Sequence, residues 1–159
     1  MEEQISGREI LELAIQAEEK GLGLYRTLAG KSKNFHVQKT FRELAREEEK
    51  HLEELKKLEE KFTPYKPMEA YPGEYILYLK AMADESVFKC NKACETFLEK
   101  DINEEDALQA GITFEKDFML FLHNMKKHVN REDAKLVDMV IEGEEGHLKR
   151  LYSHKYGKA

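Results

Sequence analysis

Apolar residues recur along this chain in steps of three and four, the spacing that gathers them on one face of an α-helix. They do so in four long runs. The first stripe is Leu11, Ala14, Gly21, Tyr25 and Leu28; the second is Phe41, Leu44, Leu55, Leu58 and Phe62. The third is Leu108, Gly111, Phe118, Leu122 and Met125; the fourth is Val137, Val140, Leu151 and His154. Stop and start signals bound the runs. Ser6-Gly7-Arg8-Glu9 is an S-x-x-E capping box, and Gly30 follows the first run as a helix C-terminus favours. Asn34 can cap the second run, and Thr63-Pro64 ends it. Glu104, Glu105 and Asp106 suit the positive end of the third, and Asn130-Arg131-Glu132-Asp133 is the turn into the fourth. The predicted helices are about 6–29, 35–62, 104–129 and 132–155. Short links make one and two, and three and four, antiparallel neighbours. A crossover over about 63–103 joins the pairs, with short helices expected at Pro72–Leu79 and near 86–100. The expected fold is all-α, a four-helix bundle of two hairpins forming a single domain over 1–159.

Each stripe is broken at its centre by ionisable residues. Glu18 interrupts the first and Glu115 the third, while Glu48-x-x-His51 and Glu144-x-x-His147 each replace two apolar positions of the second and fourth. Glu18 and Glu48 stand 30 residues apart, and Glu115 and Glu144 stand 29 apart, so the chain is an internal repeat of two hairpins. Each hairpin offers a Glu and then a Glu-x-x-His to a common interior, with Ala14, Gly21 and Gly111 leaving room beside the acids. Taken singly, each of these is an ordinary surface acid or core histidine; the six together are not. Buried unpaired, four carboxylates and two imidazoles would carry a penalty of several kcal/mol per ion. Two divalent cations cancel four carboxylates, and neutral histidines supply nitrogen ligands. Such oxygen-rich ligation suits iron or manganese better than structural zinc.

Other ionisable positions read differently. Glu47 and Glu49 flank the stripe and are expected in solvent, and Glu19 lies about 100° round the helix from Glu18. His36, His123, His128 and His154 lack a Glu-x-x-His partner; His154 shares the inner stripe, where the helix C-terminus accounts for it. Tyr25 is read as core, with a place beside the metals as the alternative.

Composition removes several function classes. A formal net charge of −6 gives no general attraction to nucleic acid or anionic lipid. No run reaches the length of a membrane span, and MEEQISGREI is acidic where a signal peptide is basic, so a cytoplasmic protein is expected. Cys90 and Cys94 form a lone C-x3-C, at best half of a metal site, and are read as plain small residues.

The sequence resembles the rubrerythrin family of ferritin-like proteins. The resemblance rests on Ala14-Ile15-Gln16-Ala17-Glu18, Glu47-Glu48-Glu49-Lys50-His51, Gly111-Ile112-Thr113-Phe114-Glu115-Lys116-Asp117 and Glu142-Gly143-Glu144-Glu145-Gly146-His147. It implies a diiron-carboxylate bundle with Glu18, Glu48, His51, Glu115, Glu144 and His147 as ligands to two iron ions, and leaves open which carboxylates bridge. It also implies reduction of hydrogen peroxide or dioxygen by Fe(II) in oxidative-stress defence. Full-length rubrerythrins append a rubredoxin domain with two C-x2-C motifs; this sequence has none, so a separate electron donor such as a rubredoxin is expected. Rubrerythrins also place a further carboxylate one turn from the third-helix ligand, where this chain has Ile112 and Phe118. Bacterioferritin shares the six-ligand set and is the rival resemblance, implying ferroxidase and iron handling. Glu49 stands where its haem-ligating methionine would be, so no haem is expected. A non-catalytic metal-binding bundle is the third reading. The expected assembly is a homodimer rather than a cage.

Overall fold

The computed structural model describes residues 7–61, 71, 73–85 and 99–157. Within them the chain forms helices α1 (Gly7–Lys31), α2 (Phe35–Lys61), α3 (Glu74–Glu85), α4 (Glu104–Met125) and α5 (Arg131–Tyr156), and no strand. The capping box at Ser6, the stop at Thr63-Pro64, the expected helix near 86–100 and both cysteines lie outside the described residues, apart from that helix's last positions.

Antiparallel packing follows from the short links. Asn34 caps α2 as its position suggests: its Oδ1 accepts from the backbone N–H of His36 at 2.9 Å and of Val37 at 3.2 Å. Asn103 caps α4 by accepting from Asp106 N at 2.8 Å. Asn130, placed by sequence within a turn, is the N-cap of α5, accepting from Glu132 N and Asp133 N at 2.9 Å each. The third helix also ends earlier than its pattern suggests. After Met125 the chain tightens into a 3-10 turn, Lys126–His128, which lets Val129 turn extended into the Asn130 cap. In the crossover, Gly73 takes φ 78°, a left-handed conformation that a glycine adopts without strain, and α3 starts directly after it.

The α1–α2 hairpin meets the α4–α5 hairpin through α1 against α4 and α2 against α5, with α3 lying over α4 and α1. The fold is a four-helix bundle of two antiparallel hairpins joined by a long crossover. Two apolar clusters fill it. One gathers Leu11, Ala14, Leu55, Leu58, Leu79, Phe118, Phe121, Leu122, Val137 and Val140; the other gathers Tyr25, Leu28, Val37, Phe41, Leu44, Ala107, Leu108 and Leu151. Between them lies a polar layer. Glu18, Glu48, Glu115, Glu144 and His147 are fully buried there, and His51 keeps 12% of its side chain exposed.

Candidate metal centre

Helical spacing delivers the layer. On α2 and α5 the Glu and His of each Glu-x-x-His stand one turn apart on the inward stripe, so both side chains reach the same depth. The geometry is close to two-fold. His51 Nδ1 lies 2.7 Å from Glu144 Oε1 and 3.4 Å from Glu48 Oε2. His147 Nδ1 lies 2.9 Å from Glu144 Oε2 and 3.3 Å from Glu48 Oε1. The two rings stack with centroids 5.1 Å apart. The acids of α1 and α4 sit at opposite ends of this core: Glu18 Oε1 is 3.8 Å from His51 Nδ1, and Glu115 Oε1 is 3.3 Å from His147 Nδ1. All six residues singled out by sequence are therefore brought into one cluster, and Glu48, His51, Glu144 and His147 offer donor atoms within 4.8 Å of one another.

Proximity does not satisfy these groups. Both oxygens of Glu18, Glu48 and Glu144, one of Glu115, and Nδ1 of His51 are buried without a hydrogen bond of good geometry, although Glu48 and Glu144 stand at ion-pair distance from the imidazoles. A buried carboxylate left so costs several kcal/mol, and natural cores avoid it. Protonation relieves only part of the strain. Burial first, then the nearby Glu48 and Glu144, pushes the Glu18 carboxyl well above its ordinary range. Burial and then Glu144 do the same to Glu115. Burial alone would raise Glu144 too, but contacts from His147 and His51 outweigh it and hold that carboxyl at about 2. Burial alone would lower His51, and its contacts with Glu144 and Glu48 instead push it up to about 10. His147 moves upward for the same reason, through Glu115, Glu144 and Glu48. The donor set is an excess of carboxylate oxygen with one imidazole nitrogen at each end, which fits hard or borderline cations such as iron and manganese.

Sequence reasoning missed three contributors. Glu47, expected in solvent, keeps only 38% of its side chain exposed: its Oε2 sits 3.1 Å from the outward nitrogen, Nε2, of His147 and is ion-paired with Arg150. Burial would raise Glu47, but the Arg150 guanidinium holds it below its usual range. A carboxylate on the outer nitrogen of an imidazole fixes its tautomer and aims the other nitrogen inward. Its partners stand about 100 residues away in sequence, so no local pattern could show them. Gly143 is the third. A Cβ there would collide with His51 Nε2 and approach its Cε1 to 2.6 Å, so the glycine makes space for the ring. The room foreseen beside the acids is taken up by packing: Phe114 fills the space at Gly21, and Leu151 and Tyr25 fill that at Gly111.

Tyr25 is buried in the core. Its buried ring packs on Phe41 and edge-on against Phe114, and its hydroxyl donates to Glu115 Oε1. Burial and then the Glu115 charge raise the phenol well above its ordinary range, so it stays a donor. His154 stands in the last turn of α5, where the dipole account has it, and its Nε2 also lies 2.6 Å from the Thr40 hydroxyl, across the α2–α5 contact.

A Gly143→Ala variant should displace the His51 ring. We expect iron affinity to fall at least about tenfold, because even one misplaced ligand or supporting group has that effect. Gly146→Ala, where a Cβ meets nothing within 4 Å, should instead leave affinity unchanged and stabilise the helix by about 1 kcal/mol. Iron titration and thermal unfolding of the two variants check both outcomes.

The rubrerythrin family model matches residues 9–155, nearly the whole chain. The chain belongs to the rubrerythrin family. A Thermotoga maritima crystal structure described as a ferritin-like diiron-carboxylate protein superposes on it with a TM-score of 0.69 at 26% identity, covering 96% of this chain and 95% of the other. No curated protein sequence matches significantly. Among the described residues, no helix is long and apolar enough to cross a membrane.

Proposed function

We propose that the polar layer holds two iron ions and that this rubrerythrin-family chain is a non-haem diiron oxidoreductase that reduces hydrogen peroxide or dioxygen. Glu18 and His51 would serve one ion and Glu115 and His147 the other. Glu48 and Glu144, each in contact with both imidazoles, would be shared between the two. The observation that carries the reading is the set of buried, orphaned carboxylate oxygens converging on two inward Nδ1 atoms. Bound Fe(II) would act as Lewis acid and electron source, two ions giving the two electrons that, with two protons, convert hydrogen peroxide to two waters. The chain's own residues prepare the site. Glu47, held by Arg150, orients His147; Tyr25 holds the Glu115 carboxylate by its hydroxyl; the apolar clusters on either side exclude bulk water. A separate donor such as a rubredoxin would return the electrons, and a homodimer is the assembly that accompanies this reading.

One feature favours a second reading. Ile112 and Phe118, one turn either side of Glu115, are buried and apolar, so α4 offers a single carboxylate, the arrangement of the ferroxidase rival. Rapid mixing of anaerobic, Fe(II)-loaded protein with peroxide and with dioxygen separates the two. Oxidation much faster with peroxide, followed by turnover with an external reductant, supports the peroxidase. Oxidation by dioxygen with uptake of further iron, and no turnover with an external reductant, contradicts the oxidoreductase and supports iron handling.

A further inference from the structure

Arg26 on α1 and Arg42 and Arg46 on α2 converge on a hollow of about 370 Å³ on the outer face of the first hairpin. Its floor is made of small residues, Ala29, Gly30 and Ala45, and a Cβ added to Gly30 would meet nothing within 4 Å, so the hollow is open above the backbone. Arg26 is ion-paired with Glu49, at the rim. Arg42 and Arg46 stand one turn apart, and among the described residues neither has an acidic partner within 4.0 Å. Three guanidiniums against one carboxylate leave two positive charges facing one small cavity.

We infer that this hollow is a binding site for a doubly charged phosphate-type oxyanion, either free phosphate or the phosphate of a small phosphomonoester. The guanidinium is planar, permanently charged and presents paired donors that match two oxygens of such an anion. The C-terminal end of α1 lies alongside, where the helix dipole opposes an anion, so the guanidiniums have to outweigh it and carry the recognition alone. Two guanidiniums without partners supply bidentate contacts, and the third, Arg26, can swing from Glu49 onto the anion. The charge balance selects a dianion over chloride or a monocarboxylate. The site is independent of the metal layer: its arginines are exposed and face away from the interior that holds Glu48.

Calorimetric titration of the metal-loaded protein with inorganic phosphate, at ionic strength held constant with sodium chloride, tests the site. The comparison is with an Arg42→Gln/Arg46→Gln variant, so any phosphate taken up at the metal centre cancels in the difference. The wild type should bind one phosphate per chain that the variant binds at least about tenfold more weakly, since hydrogen bonds to charged groups contribute that much. Both proteins should melt at the same temperature in chloride alone, because the replaced side chains are exposed. Equal phosphate binding by the two proteins overturns the site, as does a wild-type response that chloride reproduces.

Discussion

A Glu144→Gln variant will load at most one iron per chain and will melt at lower temperature even before metal is added. Glu144 is the only carboxylate of the cluster within 3 Å of both imidazoles, through one oxygen to each. It belongs to the pair proposed to be shared between the ions, so its loss weakens both positions. In the metal-free protein it is also the counter-charge that lets two stacked imidazoles stay protonated 5.1 Å apart. Removing one partner of a fully buried charge cluster costs about 3 kcal/mol. For a chain of 159 residues that corresponds to a fall of about 10 °C in melting temperature. Elemental analysis and thermal unfolding of the variant check the two effects. Unchanged loading would show that the carboxylate is structural only.

The second large effect is a reversal of pH dependence by metal. In the metal-free protein, Glu18 and Glu115 are raised in the folded state, so they keep protons that the unfolded chain releases above the usual carboxylate range. Stability therefore falls as pH rises past about 4.5, by about 1.4 kcal/mol per pH unit for each proton so retained. His51, raised to about 10, acts in the same direction: its contribution is complete below 6.5 and is lost as pH climbs through its folded value. Glu144, held at about 2, acts oppositely, adding stability that is lost only as pH falls below about 4.5. The metal-free protein should be most stable near pH 5 and should lose at least about 10 °C in melting temperature between pH 6 and pH 8. Metal replaces those protons, so loading should become tighter over the same interval and the loaded protein should gain stability with pH. Melting curves with and without chelator at pH 5, 6, 7 and 8 give the comparison. Parallel curves would mean that the cluster's protons are not exchanged for metal.

Much of this was legible in the sequence because helical periodicity is local and the anomaly was repeated. Glu48 and His51 stood where Leu44 and Leu55 demanded apolar neighbours, and Glu144 and His147 repeated the same departure. What periodicity could not show was anything set by tertiary approach. Glu47 looked solvated since nothing near it in sequence announces Arg150 or the outer face of His147. At Gly143 the sequence shows only that a side chain is absent, and the ring of His51 packed against it explains why. The tightening after Met125 was missed because apolar spacing continues to Val129 while the backbone has already left the α-helical path. Nothing in the sequence singles out the arginines at 42 and 46, because the hollow beside Ala29, Gly30 and Ala45 exists only once α1 packs on α2.

Whether these buried carboxylates and imidazoles hold a pair of metal ions is decided by anaerobic titration with Fe(II). Uptake should saturate at two irons per chain, with a Mössbauer spectrum of high-spin ferrous ions that become antiferromagnetically coupled on oxidation. Saturation below one iron per chain, or uptake unaffected by replacing Glu48 and Glu144 together, would contradict the paired site.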